Sequence, residues 1–264
     1  MKLTGWRRLC QSATLALLVA LPLLNQRGLT WVNGTLYSLA VGPVWLTDPL
    51  IGLQTILTTW TADGVLLLSM LIPIGIALVF GRIFCSWFCP QNTISELADV
   101  LGRRVGLRQL CTFKPTPHCR YTILGLLLVA VPLAGLPLAS LLSAPGIISV
   151  QTAKLIYEGT VGAELGLIGL IVVAELLLAR RLWCNHLCPV GSFLGLFRWR
   201  KTLKVVMNED GDHPCGHCLA CAKACQLGLN PLLDRLYPQC HNCGACLDAC
   251  HDLKGAQKPL RFRF

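Results

Sequence analysis

Eight cysteines near the C-terminus carry the clearest chemical signal in this chain. They form two runs with the same spacing, C-x2-C-x2-C-x3-C. The first run is Cys215, Cys218, Cys221 and Cys225, and the second is Cys240, Cys243, Cys246 and Cys250. Thiolates at this spacing hold [4Fe–4S] clusters, because a tight loop supplies three ligands and a more distant cysteine supplies the fourth. The sequence therefore predicts two such clusters.

The fourth cysteine of each run is expected to ligate the cluster of the other run. The predicted ligand sets are Cys215, Cys218, Cys221 and Cys250 for one cluster, and Cys240, Cys243, Cys246 and Cys225 for the other. The alternative is zinc, which prefers two C-x2-C pairs separated by a longer spacer. Gln226 and His251 stand where a proline usually follows the fourth cysteine, a departure that removes no ligand.

A second cysteine pattern occurs twice. Residues 82–90, RIFCSWFCP, match residues 181–189, RLWCNHLCP. The cysteines of each C-x3-C-P motif are four residues apart, which would place them on one face of a helix. The proline that follows should end the helix at the second cysteine.

The four cysteines of this repeat are candidate catalytic residues, namely Cys85, Cys89, Cys184 and Cys188. If the two copies pack about a twofold axis, the four thiols converge into a shared redox site or a third metal centre. The alternative is a set of reduced structural thiols or a transient disulfide, since free cysteine is common in protein cores.

Four apolar segments are expected to position these motifs. They lie near Leu9–Leu24, Gly64–Phe84, Tyr121–Leu142 and Val161–Leu182, and a membrane-spanning helix needs about 20 apolar residues. With 54% hydrophobic and 14% charged residues, the chain is too apolar for an ordinary soluble domain. The first segment could also be a signal peptide, but no A-x-A-like site follows Leu24, so we interpret it as an anchor.

The basic residues predict the orientation in the membrane. With the N-terminus inside, all but Arg27 and Lys154 of the 23 lysines and arginines fall on the inner side, as the positive-inside rule requires. This distribution accounts for the net charge of +10 without a nucleic-acid partner. The expected location is the bacterial inner membrane, with multiple passes and both termini in the cytoplasm.

These observations predict two domains. Residues 1–204 form an all-α polytopic membrane domain of four transmembrane helices, arranged as two hairpin repeats of the same orientation. Residues 25–63 and 143–160 are expected to be loops on the outer side. Residues 205–264 form a small cytoplasmic α+β domain that resembles two-cluster ferredoxins.

Glu175 is an ionisable residue inside the fourth apolar segment. A carboxylate at that depth is costly and suggests a function, such as accepting a proton from quinol. The alternative is a carboxylate that reaches towards Arg180 or Arg181.

Taken together, the apolar segments, the two C-x3-C-P motifs and the cysteine-rich tail resemble the NapH/MauN membrane ferredoxins over nearly the whole chain. The motif positions of that family fall on Cys85, Cys89 and Pro90, on Cys184, Cys188 and Pro189, and on the eight tail cysteines. The resemblance implies a quinol dehydrogenase component that passes electrons from the quinol pool to a partner ferredoxin-type subunit and a periplasmic reductase, typically nitrate reductase. Two alternatives stay open: a redox assembly or maintenance factor for a metalloenzyme, and a scaffold with structural clusters.

The cluster prediction has a direct chemical test. Anaerobically purified protein should contain at least about eight iron and eight sulfide per chain, because each cluster has a four-iron core. Cys218→Ser should lose one cluster and destabilise the other, since Cys225 and Cys250 are expected to link the two sites. Stoichiometric zinc without iron would contradict the prediction.

Overall fold

The computed structural model describes residues 2–28, 31–106, 117–207, 218–232, 236–254 and 260–264, and these are mostly helical. The predicted ligand Cys215 lies outside these ranges. The helices are α1 (Leu3–Gln26), α2 (Pro49–Thr59), α3 (Gly64–Phe80), α4 (Ile83–Trp87), α5 (Pro90–Val105), α6 (Pro117–Ala134), α7 (Leu138–Leu141), α8 (Ala144–Glu158), α9 (Glu164–Leu177), α10 (Pro189–Leu194), α11 (Ala220–Ala224) and α12 (Ala245–Lys254). A π-helical turn spans Trp183–Leu187. The strands are β1 (Val32–Gly34), β2 (Ser38–Val41), β3 (Val44–Thr47), β4 (Lys204–Met207) and β5 (Leu260–Arg263).

Within the described ranges, α1 is the one helix long and apolar enough to cross a membrane, and α3 and α6 are shorter apolar helices. Each of the four predicted segments contains a helix, but α3, α6 and α9 are shorter than predicted. Gly81 follows α3 with φ +66° and Gly135 follows α6 with φ +62°. A residue in this left-handed region ends a helix even where the apolar sequence continues. The four-span arrangement therefore stays a prediction.

Both connections expected on the outer side contain regular structure, and their location stays a prediction. Within 25–63, β1, β2 and β3 form an antiparallel sheet in that order, with Ser38 opposite Thr47 and Val41 opposite Val44. Asp48 then caps α2 through a hydrogen bond from the Leu50 amide (2.9 Å), with Pro49 in the first turn, a combination typical of helix starts. The connection 143–160 is largely the helix α8.

Two apolar cores hold the helices. The first lies between α2, α6, α7 and α10 and includes Leu50, Leu124 and Val131. The second lies between α8, α9 and the π-helical turn and includes Ile147 and Ile171. Cys188 packs against both cores, so the second C-x3-C-P motif lies where they meet.

The tail has a smaller core of its own and also contacts the N-terminus. Strands β4 and β5 pair antiparallel, and Val205, Cys221, Cys250 and Leu260 are buried together. Asp248 of α12 accepts hydrogen bonds from the backbone amides of Leu3 (3.1 Å) and Thr4 (2.7 Å). The residue before α1, Lys2, makes no side-chain cap, so the tail supplies acceptors for the unsatisfied amides of the first turn.

The packing of α8 against the three-stranded sheet generates a stability prediction. A Cβ added at Gly146 would lie 1.7 Å from a ring carbon of Tyr37, and the Tyr37 hydroxyl is held by the Ser140 carbonyl (2.6 Å). We expect Gly146→Ala to lower the stability by about 1–3 kcal/mol through overpacking. Gly169→Ala, in α9 with no atom within 4 Å of the added carbon, is the matched control and should be neutral or stabilising. Equal thermal midpoints for the two variants in detergent would contradict this packing.

Candidate metal centres

Four tail cysteines line one small cavity. They are Cys225, Cys240, Cys243 and Cys246, the ligand set predicted for the second cluster, and Val205, Leu227, Leu229 and Leu236 are among the apolar residues beside them. Three of the cysteines come from residues 240–246, where Asn242 (φ +55°) and Gly244 (φ +76°) turn the backbone tightly. Cys225 follows α11 in an extended conformation. Four thiols are soft ligands, and a set of four in a cavity with apolar walls fits an iron–sulfur cluster.

The environment of these thiols keeps them protonated while no metal is bound. Burial raises the pKa of Cys225, Cys240 and Cys246, and raises that of Cys243 to about 12. The mutual charges of the cysteines add to this effect for Cys246, where Cys243, Cys240 and Cys225 all contribute. Backbone amides work in the opposite direction, such as that of Asn242 towards Cys240. Cluster binding would therefore release protons, because only thiolates ligate metal.

The first predicted ligand set is described only in part. Cys221 and Cys250 are buried together in the core of the tail, and Cys218 is exposed. Among the described residues, no group of three or more His, Cys, Asp or Glu side chains is placed to hold a single metal ion. A four-iron cluster is larger than one ion, so its ligands lie farther apart than those of an ion site.

Both C-x3-C-P motifs end one helical turn and begin the next helix. Cys89 and Cys188 are extended, with ψ 118° and 111°, which confirms that each helical turn stops at its second cysteine. The proline then occupies the first turn of the following helix, α5 or α10. The shared helix face expected for each pair is wrong, because Cys89 lies beyond the end of α4 and Cys188 beyond the π-helical turn.

The four motif thiols are neighbours, although no three of them are placed to hold one ion. Burial raises the pKa of Cys89, and the charges of Cys85 and Cys188 raise it further. Burial likewise raises the pKa of Cys184, with Cys188 and Cys89 among the contributors. The Gly191 amide donates to Sγ of Cys188 (3.5 Å), and a Cβ on Gly191 would lie 3.5 Å from Sγ of Cys85. The two motifs therefore meet across Gly191.

Buried arginines fix the motifs to each other and to the tail. Arg82 and Arg181 occupy the first position of the two repeats. Arg82 donates to the carbonyls of Pro238 (3.2 Å) and Gln239 (3.1 Å), just before the second run of tail cysteines. Arg181 donates to the carbonyl and the side-chain oxygen of Asn92, both at 2.8 Å. The sequence interpretation missed these roles, because it counted the arginines only as markers of orientation.

Arg7 makes a third buried link. Its guanidinium binds both carboxylate oxygens of Glu96 in α5 (2.8 and 2.9 Å) and the side-chain oxygen of Gln226 in the tail (3.3 Å). A bidentate pair of this kind fixes geometry as well as charge. Residues of α1, α5 and the tail are thereby held at one point.

Equivalent positions of the two motifs also contact the loops next to the tail cysteines. The Ser86 hydroxyl donates to the His241 carbonyl (2.6 Å), and Trp87 Nε1 donates to the Asn242 carbonyl (3.3 Å). Asn185, which corresponds to Ser86 in the second repeat, donates to the Leu227 carbonyl (3.5 Å). The cavity lined by the four tail cysteines therefore adjoins both motifs.

Glu175 lies in this region but faces the second motif. Its side chain is buried, and its Oε1 accepts a hydrogen bond from the Trp183 amide (3.3 Å). The carboxylate thus caps the turn that holds Cys184.

Comparison with known proteins defines the class first. A family model described as a 4Fe-4S binding domain matches residues 62–108 and 161–205. Both stretches contain a C-x3-C-P motif, so the same family model matches each copy of the internal repeat predicted from the sequence. The chain is an iron–sulfur electron-transfer protein of the ferredoxin type.

Individual relatives then define the family. The ferredoxin-type protein NapH of Escherichia coli is 31% identical over 93% of this chain and 85% of its own length, and NapH of Haemophilus influenzae is 28% identical over 97% and 88%. The methylamine utilization ferredoxin-type protein MauN of Methylorubrum extorquens is 34% identical over 83% and 73%. The chain belongs to the family of NapH and MauN ferredoxin-type proteins, as its motifs predicted. No solved structure matches it.

The contacts of Arg82 generate a prediction about the tail. Arg82→Gln would leave the Pro238 and Gln239 carbonyls without their buried donor, at a cost of about 1–3 kcal/mol for each unsatisfied group. We expect a lower thermal midpoint and faster loss of tail iron to a chelator. Arg200→Gln, at an exposed position, is the control. Equal rates of iron loss for the two variants would contradict the role given to Arg82.

Proposed function

We propose that this protein takes part in quinol oxidation in the bacterial inner membrane. It would pass the electrons to a partner ferredoxin-type subunit and a periplasmic reductase, with nitrate reductase as the first candidate. The observation that carries this proposal is the contact between the cysteine-lined cavity of the tail and the C-x3-C-P motifs, through Arg82, Ser86 and Trp87. Relatives named for methylamine utilization make the terminal acceptor the least constrained part of the proposal.

The membrane architecture proposed here is four spans in residues 1–204, with residues 205–264 and both termini on the cytoplasmic side. The length of α1 and the placement of the lysines and arginines support it. The exposed surfaces of α3 and α6 carry large apolar side chains, including Leu68 and Leu133, which suits contact with lipid. The second helix of each proposed hairpin is also continued by a further helical turn. The helix α4 follows α3, and the π-helical turn follows α9.

The proposed ligand sets are those given by the spacing. Cys225, Cys240, Cys243 and Cys246 would hold one [4Fe–4S] cluster, and Cys221 and Cys250, with Cys215 and Cys218, the other. When bound, each cluster supplies one-electron redox chemistry. The residues around the cavity exclude water, and Ser86 and Arg82 hold the ligand loop against the first motif.

The C-x3-C-P cysteines would form one redox site between the quinol pool and the tail. Their closeness across Gly191 supports a single site, as does the match of both motifs to a 4Fe-4S binding model. A third metal centre at these cysteines is part of the proposal.

The function is tested by adding a reduced short-chain quinol to anaerobic protein and following the absorbance of the clusters. We expect the wild-type clusters to be reduced. Cys85→Ser and Cys184→Ser should each stop this reduction while the tail clusters stay intact, and the double variant should be no worse than either single one, since residues of one site act as a unit. Cys119→Ser, an exposed cysteine outside the motifs, is the control.

Two outcomes would contradict the proposal. Clusters that a strong chemical reductant reduces but quinol does not would favour structural clusters. Full quinol-dependent activity in both single variants would make the motif cysteines packing residues.

A further inference from the structure

A cavity of about 260 Å³ lies between the three-stranded sheet, α3 and α10. We call it the sheet cavity. Its walls are mostly aliphatic and aromatic, and they include Leu36, Ile72, Ala77, Phe84 and Val190. A cavity of about 150 Å³ with such walls already admits benzene, so this one has room for a substituted six-membered ring.

Among the described residues that line the sheet cavity, Asp48 is the single ionisable group. The carboxyl group is partly buried, and Oδ1 accepts the hydrogen bond from the Leu50 amide (2.9 Å) that caps α2. Burial raises the pKa of Asp48 to about 6 against the opposing effect of the Leu50 and Ile51 amides. Such a group is mostly deprotonated at neutral pH and takes up a proton more readily than an ordinary aspartate does.

The lining of the sheet cavity also includes neighbours of the C-x3-C-P motifs. Phe84 directly precedes Cys85 in the chain, and Val190 directly precedes Gly191. The Gly191 amide donates to Sγ of Cys188, and a Cβ added at Gly191 would lie 3.5 Å from Sγ of Cys85. The sheet cavity is therefore lined both by a carboxylate and by residues next to the candidate redox cysteines.

We propose that the sheet cavity binds the ring of the quinol and that Asp48 is the group that accepts its protons. This inference rests on the proposed function and adds a location and a residue to it. Oxidation of one quinol to the quinone breaks two O–H bonds and releases two protons and two electrons. The protons pass one after the other to the Asp48 carboxylate, which returns each to water before it takes the next. The electrons leave past the motif cysteines towards the iron–sulfur acceptors, which take one electron each.

The chemistry of the lining favours a quinol over a lipid chain. A lipid chain gains nothing from a carboxylate, and burying one against it is costly. A quinol hydroxyl needs an acceptor in an apolar pocket and must give up its proton. Ile72 and Ile76 line the cavity and are also exposed on α3, so a ligand dissolved in the bilayer can enter from the side.

A smaller cavity of about 130 Å³ adjoins α9 and contains Glu175. It is the alternative site, because Glu175 lies in a cavity next to the second motif. Its carboxylate already accepts the Trp183 amide hydrogen bond, and the cavity is half the size. The test below includes a variant at this second cavity.

The position of the quinol site is tested by photolabelling the purified protein with a short-chain azidoquinone. The dissociation constant of the azidoquinone is measured for each variant. Ile72→Trp should fill the sheet cavity and weaken binding about tenfold or more by steric exclusion. Leu71→Trp is the matched control, because it lies on the same helix, is 58% exposed against 45% for Ile72, and does not line the cavity. Leu170→Trp, 64% exposed at the alternative cavity, should bind as the wild type does.

The role of Asp48 is tested with Asp48→Asn, since asparagine caps helices about as well as aspartate but cannot accept the proton. We expect azidoquinone binding to change by less than about threefold, while quinol-dependent reduction of the tail falls by about 100-fold, a typical contribution of a general base. An unchanged rate, or a loss of binding equal to the loss of rate, would overturn the assignment of Asp48.

The two proposals fail in distinguishable ways. If quinol reduces the tail of Ile72→Trp as fast as that of the wild type, or if only Leu170→Trp weakens binding, the sheet cavity is not the quinol site and the proposed function stands. The same conclusion follows if the purified protein retains a lipid chain that is lost in Ile72→Trp, while azidoquinone binding is the same in both proteins. If the azidoquinone labels the sheet cavity but quinol never reduces the tail, the proposed electron transfer fails and the cavity assignment survives.

Discussion

The burial of three guanidinium groups is the constraint on which the rest of this structure depends. Arg7, Arg82 and Arg181 are almost completely buried, and a buried charge is tolerated only where it is paired and hydrogen-bonded. Each of the three finds its partners on a distant part of the chain: Glu96 and Gln226 for Arg7, the residues before Cys240 for Arg82, and Asn92 for Arg181. Arg181 also forms an ion pair with Asp99 (3.3 Å), whereas the partners described for Arg82 are backbone carbonyls. The helices, the motifs and the tail cannot separate without leaving buried guanidinium donors without their partners, so the arginines fix the spacing between the redox groups.

The same charges affect the electrostatics of the tail. His241, between Cys240 and Cys243, is buried, and its pKa is lowered well below the usual value by burial first and then by Arg82, Arg181 and Arg7. All three cations therefore lie close to the loop that holds three of the proposed ligands. A reduced cluster carries one more negative charge than an oxidised one, and nearby positive charge stabilises it. The residues that hold the tail in place would therefore also stabilise the reduced form of the proposed cluster.

Sequence reasoning was strongest where the chemistry is local. The cysteine spacing grouped Cys225 with Cys240, Cys243 and Cys246, and these four line one cavity. The internal repeat was equally readable, because both copies retain the same residue types. Helix ends were less predictable: the apolar run after Phe80 continues through Ile83 and Phe84, but Gly81 adopts a positive φ and interrupts the helix. The sheet cavity was not predictable, since it is formed by residues from β2, β3, α3 and α10 whose proximity depends on the whole fold.

The hydrogen bonds from the first turn of α1 to Asp248 have a consequence for how the protein is made. The N-terminal helix is synthesised first, yet the acceptors for the Leu3 and Thr4 amides lie 245 and 244 residues further along the chain. The amide groups at the start of α1 must therefore remain with water or lipid head groups until the last part of the polypeptide leaves the ribosome. The first turn of α1 is therefore finished only when the cysteine-rich tail arrives, so a nascent chain that stalls before Asp248 lacks a finished N-terminus as well as a finished tail.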